Sequence, residues 1–202
     1  MKNTAILVLA VAGAAALAGC DSKAKLAKEI QGEWTSTPEL LVNTGAARAS
    51  LVRVMEFNRS ADATEGTVTM TALITVDNAL PANDSIVTPL TIAASGTATI
   101  TGVYSVKDDD EVKVNLDATS LSIAVDPDAV KLSYDIIDGN SGSSLEQLRP
   151  GALRLARQQI DRAAQDVFIS LDEIDDIRID NNLMFCEIGH KDLTFRRTEP
   201  SR

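Results

Sequence analysis

Histidine, cysteine and aromatic residues are scarce in this chain of 202 residues: one histidine, two cysteines, one tryptophan, two tyrosines and four phenylalanines. Each shortage excludes something. A zinc site needs several His or Cys ligands, and the chain has too few, so no metal or other cofactor is expected. His190 would have to serve any Ser-His-Asp triad, yet it follows Gly189 in a turn-like stretch, and no Gly-x-Ser-x-Gly nucleophile elbow occurs. No glycine-rich loop carries a lysine to cradle phosphate. Basic residues are outnumbered, 19 Lys and Arg against 29 Asp and Glu, for a formal charge of −10. That balance argues against nucleic acid, which requires a basic patch. The aromatics are too few for the two girdles of a membrane-spanning barrel. Carboxylates alone are abundant, so a hydrolase built only on acid/base pairs stands last among the function classes. No enzyme is expected.

What is present begins with an address. Met1-Lys2-Asn3 precedes an apolar run from Ala5 to Leu17. The run has the length of a signal-peptide core and is shorter than the roughly 20 residues that span a bilayer. It ends in Leu17-Ala18-Gly19-Cys20. This stretch resembles the lipobox of bacterial lipoproteins. The resemblance implies cleavage after Gly19, a diacylglycerol on Cys20 and a protein held in the bacterial cell envelope through its acyl chains. Two or three chains anchor firmly where one is marginal. Asp21 resembles an inner-membrane retention signal of some bacteria, but other bacteria sort by different rules, so inner versus outer membrane stays open. With Cys20 acylated, Cys186 has no disulfide partner. It lies in the apolar run Leu183-Met184-Phe185-Cys186 and reads as a buried structural thiol.

Residues 1–19 are thus read as signal peptide, 20–31 as lipidated cysteine and tether, and 32–198 as a single β-rich domain. Leu26 and Ile30, four apart, suggest a short helix within the tether. From about 50 to 137 the apolar residues alternate, as in Val68, Met70, Ala72, Ile74 and Val76. That pattern predicts antiparallel strands with one wet and one buried face. Pro81–Asp84, Ser95-Gly96, Asp108–Asp110 and Asp126–Asp128 read as the turns between them. After a loop at 138–144 the period lengthens. Leu145, Leu148, Leu153, Ala156, Ile160, Ala163 and Val167 predict one amphipathic helix over about 144–167, broken or started at Pro150-Gly151. Strands return near 173–180, 183–188 and 192–197.

Two acidic clusters stand out. Asp108–Glu111 lacks the spacing of a calcium loop and reads as a hairpin tip. Asp172, Glu173, Asp175, Asp176 and Asp180 follow a helix bearing Arg149, Arg154, Arg157 and Arg162. These charges are read as partners of one another or of water; the sharper reading is a protein-docking surface.

Gly32-Glu33-Trp34 stands at the start of the domain and Leu193-Thr194-Phe195-Arg196-Arg197 at its end. With many short strands and one late helix between them, the layout resembles the lipocalin-like (calycin) group, including small bacterial lipoproteins. There a Gly-x-Trp opens the first strand, and an arginine of the last strand packs over the tryptophan. The resemblance implies a mainly β, antiparallel lipocalin-like barrel or barrel-like sheet with the helix packed on it. It gives Gly32, Trp34, Arg196 and Arg197 a structural, barrel-closing role. Two functions lead: a non-enzymatic carrier of a small apolar ligand, and a structural or protein-interaction lipoprotein with a filled core. The small inward residues Ala72, Ala94, Ala98 and Gly102 either leave room for a ligand or let the helix approach closely.

Overall fold

The computed structural model describes residues 22–61, 63–80, 90–134, 142–169 and 171–198. Cys20, the signal segment and the Pro81–Asp84 turn lie outside them, as does most of the 138–144 loop. Helix α1 covers 22–29. The strands are β1 (Gly32–Ser36), β2 (Glu39–Asn43), β3 (Ala47–Arg59), β4 (Glu65–Leu80), β5 (Leu90–Val106), β6 (Val112–Leu116), β7 (Ser122–Val125), β8 (Lys131–Tyr134), β9 (Glu173–Asp180), β10 (Leu183–Ile188) and β11 (Lys191–Arg197). Helix α2 (Gly142–Ile169) stands between β8 and β9.

Every strand pairing is antiparallel, and the path β1–β3–β4–β5–β6–β9–β10–β11 returns to β1, closing an eight-stranded barrel. Its alternation is the physical cause of its inside and outside. On β4, Val68, Met70, Ala72, Ile74 and Val76 are buried, while the threonines between them face outward in part or in full. Trp34, Met55, Phe57, Met70, Tyr104 and Phe195 are fully buried and fill the interior, as side chains can in a barrel of this size. Burying each of the Met and Phe side chains contributes about 1.5–3 kcal/mol.

The two ends of the barrel differ. At one end β1 lies between β3 and β11. Then Pro38, which has no N–H to donate, separates β1 from β2, and among the described residues β2 pairs with β3 alone. On the opposite flank β6, β7 and β8 succeed one another along β5, and of these only β6 continues the ring through β9. The long strands β3, β4 and β5 therefore run past the closed ring into a more open mouth, which α2 covers by packing on β4, β5, β7 and β8.

Two local expectations are corrected. Ser95-Gly96 is no turn: β5 runs unbroken through it for 17 residues. A Cβ on Gly96 would come within 3.0 Å of two side-chain atoms of Ile160 and of the Ala124 carbonyl. The glycine is there to let α2 approach. Nor does Pro150 break α2, which passes through it; Arg149 Nη1 donates to the Val130 carbonyl at 3.2 Å beside it. The tether is also partly folded: Leu26 and Ala27 of α1, with Ile30 just after it, are buried in the same core as the barrel.

Candidate functional site

The closed end is built around Trp34. Its Nε1 donates to the Ile30 carbonyl at 2.7 Å, and the Arg197 guanidinium lies 4.2 Å over its ring. Arg197 also donates from Nη1 to the Gln31 carbonyl and from Nη2 to the Glu29 carbonyl, each at 2.6 Å. A cation on the last carbonyls of a helix satisfies acceptors that the helix leaves open, so Arg197 fastens α1 across this end. Gly32 turns the chain into β1 at φ 107°, a conformation that side chains disfavour. Arg196 is not in this group: it stands opposite Thr35 and Leu183 and is exposed.

The open end carries a cleft of about 370 Å³ between α2 and the strands. Leu41 and Val42 of β2 form one lip, and Gln159, Arg162, Ala163, Asp166 and Val167 of α2 form the other. Its floor is Ala49 and Arg53 of β3 with Val76 and Asn78 of β4, and Lys191 reaches in from β11. The volume lies toward the small end of ligand sites.

Arg53 is the unusual member. It occupies an inward position of β3, between Leu51 and Met55, and is 4% exposed. Its Nε and Nη2 bind the Glu39 carboxylate at 2.7 and 3.1 Å, and its backbone N–H donates to Ser36 Oγ at 2.9 Å. Its Nη1 is buried and has no partner among the described residues. Nearby, Asn78 Nδ2 donates to Gln159 Oε1 and ties β4 to α2. The alternation did contain a signal for this site: Arg53 and Asn78 fall on the inward phase of their strands, where apolar residues belong. Such local conflicts concentrate at functional positions.

Cys186 is buried beside this pair. Burial pushes its thiol up to about 12, with Arg53 pulling it down and Glu39 adding to the rise. Thiol reagents attack the thiolate. Treatment of the folded protein at pH 8 is therefore expected to leave Cys186 unmodified, with reaction only after denaturation, as peptide mapping would record.

A second cluster joins the two acidic stretches. The β6–β9 pairing, Val112 with Ile174 and Lys113 with Glu173, brings Glu111, Glu173 and Asp175 together with carboxylate oxygens within 4.8 Å of one another. These are the side chains placed to share a cation. A hydrogen bond between the Glu173 and Glu111 side chains, then burial and the Glu111 charge, raise the Glu173 pKa above its usual value of 4.5. Asp175 is raised by burial and by its acidic neighbours. Groups raised in this way favour the folded state most below their unfolded pKa values, and that contribution is lost as pH rises through the folded ones. Glu173→Gln is accordingly expected to raise the thermal midpoint at pH 7, with the gain gone by about pH 4, where the wild-type carboxyl is protonated too. Among the described residues, no ion pair links this cluster to Arg154, Arg157 or Arg162, and Arg149 pairs with Glu146 of its own helix. His190 is fully exposed in a two-residue hairpin turn, with Gly189 and His190 both at positive φ, and its Nδ1 lies 3.2 Å from Glu187.

No known family profile matches the chain, and no curated protein matches it either.

Proposed function

We propose that this chain is a lipid-anchored lipoprotein of the bacterial cell envelope, whose lipocalin-like barrel binds a small amphipathic molecule in the cleft under α2 and catalyses no reaction. The observation that carries this reading is the cleft itself: apolar side chains such as Leu41, Val76 and Val167 beside charged ones, with a buried, incompletely satisfied arginine in its floor. The barrel interior is occupied by its own large side chains, so a ligand belongs at the mouth rather than deep inside. The anchor rests on Leu17-Ala18-Gly19-Cys20, and α1 begins two residues beyond that cysteine. Because α1 closes the end opposite the cleft, whose β3 residues lie four to ten positions, about 13–34 Å, from Phe57 at that end, the cleft faces away from the membrane.

The test is equilibrium binding of a neutral naphthylamine fluorophore to the full chain and to Ala163→Trp, which fills the cleft from α2. Saturable one-to-one binding that the substitution abolishes, with the circular dichroism spectrum unchanged, supports the reading. Binding that is unsaturable or indifferent to the substitution defeats it. A second reading has its own observation. β2 is an edge strand exposing Leu40 and Val42 at 49% and 42%, and such an edge is a place for a partner strand to add.

A further inference from the structure

We propose that the cleft selects amphiphiles with a carboxylate head, seated at Arg53, with an apolar body along Val76, Ala163 and Val167. This rests on the cleft being the binding site, as argued above.

Charge is the first ground. Within a chain of net charge −10, the cleft is lined by Arg48, Arg53, Arg162 and Lys191 against a single acid, Asp166. Glu39 neutralises Arg53. The other three cations form no ion pair among the described residues, so the rim keeps a positive excess. A low-dielectric cleft lined by one sign of charge focuses its field on ions of the other sign. The same rim rejects cationic amphiphiles, which gives selectivity by repulsion as well as attraction.

Hydrogen bonding is the second ground. Two of the three Arg53 nitrogens are committed to Glu39; among the described residues Nη1 has no acceptor, and it is shielded from solvent, so a head group reaches it only by displacing the side chain that covers it. A buried donor without a partner is costly, and a charged acceptor satisfies it best. One remaining nitrogen suits a compact, singly charged carboxylate better than a bulkier, doubly charged phosphate. Size is the third. About 370 Å³ admits a medium-length body and excludes a two-chain lipid.

The experiment measures binding of decanoate, decyl phosphate, decanol and decyltrimethylammonium to the full chain by calorimetry, below their micellar concentrations. Decanoate is expected to bind at least tenfold more tightly than each of the others. Arg162→Glu combined with Lys191→Glu, both exposed and outside the core, should weaken decanoate about tenfold and leave decanol unchanged. The carboxylate assignment is overturned if decanol or the cation binds as well as decanoate, or if decyl phosphate binds more tightly. In those cases Ala163→Trp sensitivity of the better ligand leaves the cleft standing as the site. If no probe binds and Ala163→Trp changes nothing, the site itself has failed, and this inference with it.

Discussion

Replacing Arg53 by methionine is expected to destabilise the folded domain by about 3–5 kcal/mol, because it strands a buried carboxylate. The side chains of Arg53 and Glu39 are 5% and 9% exposed, so solvent cannot take over the role of the lost partner. The pair is held by two hydrogen bonds, and it crosses from β2 to β3, the strand that β2 pairs with. The second substitution, Glu39→Leu in the same chain, should return most of the loss, since apolar replacement of a whole buried pair is often close to neutral. Urea unfolding of the two single variants and the double variant at pH 7 measures this. A cost below about 1 kcal/mol for Arg53→Met would place the pair in water and remove the main argument for the cleft floor.

The second large effect is at the opposite end. Trp34→Ala should cost about 3–5 kcal/mol, the usual loss for truncating a fully buried large aromatic. Trp34 is 0% exposed, and it touches everything that closes this end: α1 through Nε1, β3 and β11 through its strand, and Arg197 over its face. The damage should be uneven. Amide hydrogen exchange across 22–30 is expected to rise before that of β4 and β5, because the hydrogen bonds that tie the end of this segment to the barrel run to Trp34 and Arg197. Arg197→Met tests the cation separately. It keeps much of the packing, loses a contact of about 0.5–2 kcal/mol over the indole, and loses both bonds to α1. Equal protection of 22–30 in wild type and Arg197→Met would show that the arginine does not fasten the helix.

The two predictions also mark what the amino-acid order reveals and what it hides. β4 is legible because one face is wet and the other dry, so Val68 to Val76 alternate without interruption. The late helix is legible from spacing alone, and its observed span, Gly142–Ile169, extends the expected one by two residues at each end. β5 is misread at Gly96 because a glycine that admits a neighbouring helix has the same letter as one that makes a turn. Pro150 misleads for a related reason: proline removes one helical hydrogen bond, and packing of Ala152, Ala156 and Ile160 against the barrel outweighs the loss. The cleft is the least legible feature. Its residues come from β2, β3, β4, β11 and α2, and only strand register brings Arg53 level with Ala72 on β4 while β2 supplies Glu39. The acidic stretches at 108–111 and 172–176 are each visible in the sequence, but their meeting depends on the two-residue pairing of β6 with β9, which no local pattern encodes.

The central claim is that the mouth of this barrel carries a small ligand. Native mass spectrometry of the protein, released gently from the membranes of its own cells, addresses it most directly. The account predicts one small co-purifying mass per chain, removed by organic extraction and missing from Ala163→Trp protein prepared in parallel. A bare chain mass for the folded wild-type protein, identical in behaviour to the filled-cleft variant, would contradict it and move the function to the outer surface of β2 and α2.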